Sequence, residues 1–383
     1  MEALVKPTFK ELKRAAKEDT RRFSEAICGD GMKVEEICTP ALLVDLDAME
    51  SNLRKMAGFF SNRACKLRPH FKNHKVPKLA RMQLEAGAVG ITCATLREAE
   101  ILVHSGVGSV LIANEIVDSG KLNVLADLSR HSSVIAAVEN EKVIDDMARI
   151  QRNLKAQFQV IVDINIGLNR CGVPPGEAAV SLARRAAGAG LNVLGIMGYD
   201  GHHQAVRPSR ERDDEVMKGC RALAETAALI SDEGIPLSIV STGGTGSYSV
   251  SGQCPGITDV QAGSYLLMDT RYLNLGAQFQ RSLTVLSTVV SKRNRENAVI
   301  DCGVKAMSGE RGLPVLKDMA GTNITALHAE HAPLEIAMSD FDGIEVGGKL
   351  EVWVEYSDAT VNLHSRMYGV RNGEIEEVFQ IEH

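Results

Sequence analysis

From Ala41 onward, short runs of apolar, often β-branched residues alternate with longer stretches in which apolar positions return every three or four residues. The runs at 41–46, 89–92, 110–113, 134–138, 159–164, 193–197 and 237–240 predict strands. The stretches at 47–60, 76–87, 94–106, 141–154, 176–189 and 208–233 predict amphipathic helices. Strands apolar on both faces and separated by helices mark parallel βαβ units, because crossover helices cover both sides of the sheet. Repeated over roughly 200–250 residues, this pattern predicts a (β/α)8 TIM-like barrel, with an open doubly wound sheet as the alternative. Past about residue 275 the pattern changes to alternating strands, at 283–289, 298–301 and 349–355, which predict a smaller all-β C-terminal domain. Residues 6–28, rich in Lys, Glu, Arg and Ala, read as an exposed helix. The expected organisation is a helical extension at 1–35, a barrel at 36–274 and a β-domain at 275–383, which the strand around 36–44 can join.

Composition narrows the function. With 44% apolar and 24% charged residues in 383, the chain is ordinary globular protein, and its net charge of -6 supplies no field for nucleic acid. No apolar run reaches the ~18 residues of a membrane span, and the first residues lack the order of a signal peptide. The 8 cysteines stand singly, with no CxxC pair. These features predict a cytoplasmic protein that handles a small molecule, with no nucleic-acid or membrane partner.

In a parallel barrel the reactive groups collect at the C-terminal ends of the strands. Arg68-Pro69-His70-Phe71-Lys72-Asn73-His74-Lys75 occupies such a position and sets Lys72 among imidazoles and other cations. Crowding by positive charge disfavours the protonated amine, so Lys72 is a candidate Schiff-base lysine. Arg170 follows the strand at 159–164, and Tyr199 to Gln204 follow the strand at 193–197. The strand at 237–240 leads into Ser241-Thr242-Gly243-Gly244-Thr245-Gly246-Ser247-Tyr248, where backbone N–H groups and hydroxyls can surround a phosphate. The spacing is neither a P-loop nor a dinucleotide fingerprint. With Gln261-Ala262-Gly263-Ser264-Tyr265 it fits the two-loop phosphate site of barrel strands 7 and 8. A nucleophilic lysine with a phosphate site combines most simply as pyridoxal 5′-phosphate bound through Lys72.

These motifs, together with Thr39-Pro40-Ala41-Leu42-Leu43-Val44-Asp45-Leu46-Asp47, Asn169-Arg170-Cys171-Gly172-Val173 and Asn362-Leu363-His364, resemble the D-threonine aldolase and D-serine dehydratase group of alanine-racemase-like, fold-type III pyridoxal phosphate enzymes. The resemblance runs from about Thr39 to the C-terminus. It implies that Lys72 carries the cofactor, Arg170 contacts its phenolic oxygen and Gln261 lies near the pyridine nitrogen. It further implies that Tyr199, Gly243, Gly244, Thr245, Gly263, Ser264 and Tyr265 hold its ring or phosphate, and His70 and Thr242 are counted with these contacts. Two departures stand out. The family places a divalent metal (Mn2+, Mg2+ or Zn2+) on a histidine and, two residues on, an aspartate or cysteine, where this chain has Tyr356-Ser357-Asp358, so Asp358 keeps its match and Tyr356 replaces the imidazole. The family aldolases also carry a basic histidine six residues after Tyr199, where this chain has Ala205, leaving His202 and His203 as candidate bases and His331 as a further one.

The implied activity is retro-aldol cleavage of a β-hydroxy-D-amino acid to glycine and an aldehyde. The alternatives are β-elimination by a D-serine or 3-hydroxy-D-aspartate dehydratase, a metal-independent racemase or epimerase in which Tyr356 is a second base, and a non-enzymatic pyridoxal phosphate carrier. The resemblance also implies a homodimer.

Overall fold

The computed structural model describes residues 32–383, so the helix expected at 6–28 lies outside the described residues. Strand β1 (Ala41–Asp45) leads into helix α1 (Leu46–Phe60), which starts where the Asp45 carboxylate accepts the Ala48 N–H at 3.0 Å. The barrel then runs β2 (Lys66–Leu67), α2 (Pro77–Glu85), β3 (Ile91–Cys93), α3 (Leu96–His104), β4 (Ser109–Glu115), α4 (Ser119–Leu128), β5 (Ser133–Val138), α5 (Glu141–Leu154) and β6 (Gln159–Asp163). It continues through α6 (Glu177–Gly188), β7 (Asn192–Gly198), α7 (Arg210–Asp232), β8 (Ile239–Thr242) and β9 (Asp259–Val260).

All neighbours in this eight-stranded sheet are parallel, in the order β2-β9-β8-β7-β6-β5-β4-β3. The two ends of that order meet through a bridge between His70 and Thr92, where the Thr92 N–H donates to the Pro69 carbonyl at 2.8 Å, so the sheet curls into a barrel. Leu111, Ile135, Ala137, Ile161, Met197 and Ile239 form a buried apolar cluster contributed by five of its strands. Outside, helices lay apolar stripes on the sheet: in α5 the buried Val143, Ile144, Met147 and Ile150 recur at helical spacing, and the Asn140 side chain caps the first turn at the Val143 N–H.

Asp269 caps α9 (Thr270–Asn274), which follows the short α8 (Tyr248–Ser251) at the end of the barrel. The chain then enters a nine-stranded, mostly antiparallel sheet made by β10 (Leu283–Lys292), β11 (Asn297–Ile300), β12 (Val315–Leu316), β13 (Asn323–Ile324), β14 (Ala332–Glu335), β15 (Lys349–Trp353), β16 (Arg366–Arg371) and β17 (Glu374–Gln380), with β1 between β10 and β16. The strand at 41–45 therefore sits in the second sheet, antiparallel to β10 and parallel to β16. Among the described residues no helix is long and apolar enough to cross a membrane.

The turn after β2 is anchored by His74, which is wholly buried. Its Nδ1 accepts the Val76 N–H at 3.1 Å and its Nε2 lies 3.2 Å from Gln83 Oε1, so the ring is neutral with its proton on Nε2. Burial lowers its pKa from 6.5 to about 4. Above the unfolded value the stabilisation is complete, and it is lost as the pH falls toward the folded value, because only the unfolded chain takes up the proton readily. Chemical denaturation should accordingly show stability falling by about 3 kcal/mol from this group between neutral pH and pH ~4, a slope that His74→Gln removes.

Candidate active site

A cavity of about 560 Å³ opens at the C-terminal ends of the barrel strands. Lys72 reaches it from the single turn Phe71–Asn73 that follows β2. Its Nζ lies 3.5 Å from an Asp358 carboxylate oxygen, and the other Asp358 oxygen accepts a 2.7 Å hydrogen bond from the Asn73 amide. The expected crowd of unbalanced cations is corrected by the fold, which gives each its own acid: Arg68 is buried against Asp259 at 3.1 Å, Lys75 faces Glu98 at 3.9 Å, and Lys72 has Asp358. The cation field falls instead on His70, whose pKa is pushed well down by burial first and by Lys72 next. His70 Nδ1 accepts the Lys72 backbone N–H at 3.4 Å, so this neutral ring carries its proton on Nε2 and can only donate from there.

Asp358 comes from the second sheet's side of the molecule. It lies in α10 (Ser357–Val361), and the Asp269 carboxylate that caps α9 also accepts the Ser357 N–H at 3.1 Å and the Ser357 hydroxyl at 3.0 Å. That one buried acid, raised to about 6 by burial, ties the Tyr356–Asp358 segment to the end of the barrel. Tyr356 lines the same cavity as Lys72, within one chain. Burial and then Asp358 push its phenol up, and the Arg311 guanidinium lies 5.4 Å from its ring centre.

Opposite Lys72, the Gly-rich loop after β8 forms the floor. Gly243 takes φ of +74°, a left-handed conformation that side chains resist. A Cβ on Gly263 would lie 2.7 Å from the His70 carbonyl, so glycine lets the second loop close on the lysine turn. Among the described residues, the backbone N–H groups of Gly243, Thr245, Gly263 and Ser264 donate to no protein group, and all four residues line the cavity. Thr242 and Gly244 also line it. The Thr242 hydroxyl is engaged with the Gly198 carbonyl at 2.7 Å, and the Gln261 amide donates to Ser241 at 2.9 Å from the adjoining wall. On the other flank the Arg170 guanidinium stands 5.5 Å from the Tyr199 ring centre, and burial pushes the Tyr199 phenol up.

A family model described as the alanine racemase N-terminal domain matches residues 44–271, and one described as a putative serine dehydratase domain matches residues 282–370. A D-threonine aldolase of Arthrobacter sp is 33% identical over 359 residues, covering 92% of this chain and 94% of that protein. The chain belongs to the D-threonine aldolase and D-serine dehydratase family. A 3-hydroxy-D-aspartate aldolase of Paracoccus denitrificans is 32% identical over 92% of this chain and 93% of that protein. The crystal structure of a D-threonine aldolase from Filomicrobium marinum superposes with a TM-score of 0.89 at 34% identity, covering 93% of this chain and 98% of that one.

Pyridoxal 5′-phosphate is the cofactor of this family, as the sequence expects, and the cavity fits it. A primary amine stands on one side, and four unpartnered backbone donors stand on the other, a donor set suited to an aldehyde and a phosphate.

Not every residue expected at the family's site is there. Tyr265 is fully buried away from the cavity, its hydroxyl accepting from Gln83 at 3.0 Å, and its backbone N–H donates to the Thr245 hydroxyl, so it braces the loop from behind. His202 and His203 pack against each other with ring centres 3.9 Å apart and planes tilted by 44°, and neither lines the cavity. His202 is pressed against Gly167, where an added Cβ would lie 3.0 Å from its Nε2. His331 is exposed on the second sheet's side and does not reach the cavity either.

The fold also supplies wall residues that sequence reasoning missed, namely Asp163, Asn114, Arg271, Tyr272 and Arg311. Asp163 ends β6 and is pushed up by burial and by Glu115. Behind it, Glu115, Glu139 and Cys171 each place one ligand-type atom within 4.8 Å of the others, a grouping made by the end of β4 and the loops after β5 and β6, and therefore invisible as a spacing motif.

Proposed function

We propose that the protein cleaves the Cα–Cβ bond of a β-hydroxy-D-amino acid, releasing glycine and an aldehyde. The observation that carries this reading is the Asp358 carboxylate 3.5 Å from the Lys72 amine on the cavity wall. Bound in the cavity, pyridoxal phosphate supplies an electron-withdrawing ring conjugated to the substrate nitrogen, which stabilises the electron pair left on Cα. Lys72 would hold the cofactor, the N–H groups of Gly243, Thr245, Gly263 and Ser264 would bind its phosphate, and Arg170 and Gln261 would meet its phenolic oxygen and ring nitrogen.

Cleavage needs a group that accepts the β-hydroxyl proton. Tyr199, Tyr272 and Tyr356 are held as neutral phenols by burial, and His70 presents only a donor. Burial and Glu115 push Asp163 toward its protonated form. Asp358 is left as the acceptor. It takes the hydroxyl proton, the O–H electron pair becomes the aldehyde C=O, the Cα–Cβ bond breaks, and Cα takes up a proton to become glycine. The raised Tyr356 phenol also makes a poor second base, which disfavours racemisation, and a carrier has no use for Asp358 and Tyr356 on its wall.

The donor set around Asp358 does not fit a divalent ion. Its carboxylate is shared between Asn73 and Lys72, and its partner two residues back is a neutral phenol. Prolonged dialysis of the holoenzyme against a chelator should leave the cleavage rate within about two-fold, whereas Tyr356→His should make the rate respond to added Mn2+ or Zn2+ by restoring an imidazole beside the carboxylate. A rate abolished by the chelator in the wild type would return the metal to Asp358.

The reading includes a cytoplasmic homodimer in which a second copy narrows the cavity mouth near the exposed Asn114 and Arg311, which sedimentation of the holoenzyme tests.

A further inference from the structure

Arg271, the first residue after the α9 cap-and-turn position Thr270, lines the cavity and is half-buried. Among the described residues its guanidinium donates no hydrogen bond and pairs with no carboxylate. Glu355 and Asp269 both feel its charge or lie beside it in sequence, yet each is pushed up by burial, to about 7 and about 6, and neither bonds to it. Its other neighbours are the phenols of Tyr272 and Tyr356. A guanidinium left unpaired in a partly desolvated wall is costly unless an anion arrives to meet it.

The anions expected in the cavity can be assigned in turn. The cofactor phosphate has the glycine loops, the phenolic oxygen has Arg170, and Lys72 is reserved for the aldehyde. Two cations remain, and both act on Tyr356: Arg311, which pairs with Glu310 at 3.1 Å, from over its ring, and the unpaired Arg271 from the barrel side. An amino acid with a single carboxylate occupies one of them. A substrate with a second carboxylate occupies both.

We propose that Arg271 binds a carboxylate on the substrate side chain, so that the site takes a 3-hydroxylated dicarboxylic D-amino acid in preference to D-threonine. The proposal rests on the aldolase reading above and names the substrate class within it. The fork of the guanidinium matches a carboxylate in bidentate geometry, which an ammonium cannot reproduce.

The test compares holoenzyme of the wild type, Arg271→Gln and Arg271→Lys. Glycine release is followed from 3-hydroxy-D-aspartate and from D-threonine, and calorimetry follows the binding of D-aspartate and D-alanine, which carry no β-hydroxyl to cleave. The wild type should favour the dicarboxylic substrate. In Arg271→Gln, kcat/KM for that substrate should fall about 10- to 100-fold, mainly through KM, while D-threonine changes by no more than about two-fold. The affinity for D-aspartate should fall by a similar factor with D-alanine unaffected, and Arg271→Lys should recover part of the loss. Equal losses for both substrates would assign Arg271 to the α-carboxylate or to structure and overturn the proposal, as would no loss for either. If the wild type releases glycine from neither substrate, the aldolase reading fails, and the D-aspartate to D-alanine affinity ratio still decides the role of Arg271.

Discussion

Replacing Lys72 by Ala should leave a folded protein that no longer retains pyridoxal phosphate through desalting and whose cleavage rate is lower by at least about 10⁴-fold, because among the described residues no other wall residue offers a primary amine to the aldehyde. Folding should survive, since the Lys72 side chain is 40% exposed and, among the described residues, anchors nothing but the pair with Asp358. Lys72→Arg sharpens the result. It keeps the positive charge beside Asp358 but cannot condense with an aldehyde, so it should lose the visible absorbance of the lysine-bound cofactor as completely as Lys72→Ala does. Retention of that absorbance in either variant would move the attachment point to another residue.

The second large effect is expected at Asp358. Asp358→Asn preserves the size and a hydrogen-bonding partner for Asn73 but removes the proton acceptor, so kcat should drop by about 10²- to 10⁴-fold while the cofactor remains bound and visible. That combination separates a base from a residue that merely positions the cofactor. A variant with normal kcat would place the base elsewhere, and the Lys72 amine, 3.5 Å from Asp358, would then be the nearest candidate.

Much of this was written in the sequence. The long strands β4 to β7 and the amphipathic helices α5 and α7 declare themselves by periodicity, because both faces of a barrel strand and one stripe of each helix are buried. Two barrel strands were not legible. β2 and β9 hold two residues each, and their pairing is secured by the buried Arg68–Asp259 ion pair, a contact between residues almost two hundred positions apart. Helix α4 was also missed: its buried Leu122, Leu125, Ala126 and Leu128 fill little more than a turn and a half, with Gly120 at its start and Val124 exposed. The closing hairpin of β16 and β17 turns at Asn372-Gly373, both at positive φ, which is a hairpin signal that the surrounding charged residues obscured.

The site divides in the same way. Motif residues such as Lys72, Arg170, Gly243 and Gln261 could be picked out because chemistry and strand-end position coincide. Whether a neighbouring side chain turns inward could not. Tyr265 and His202 lie within motifs and face away, whereas Arg271 and Arg311 lie in unremarked segments and face in, because burial and loop closure set their direction. The surplus of cations around Lys72 was likewise only apparent, since Asp259, Glu98 and Asp358 are distant in sequence and meet those cations only in the folded chain.

Which bond breaks decides the function. The direct measurement is product analysis of the cofactor-loaded protein incubated with 3-hydroxy-D-aspartate and, separately, with D-threonine. Glycine should form with the matching aldehyde, glyoxylate or acetaldehyde, in equal amounts and without ammonia. Ammonia with an oxo acid, or inversion of the amino acid with no cleavage, would contradict the aldolase reading.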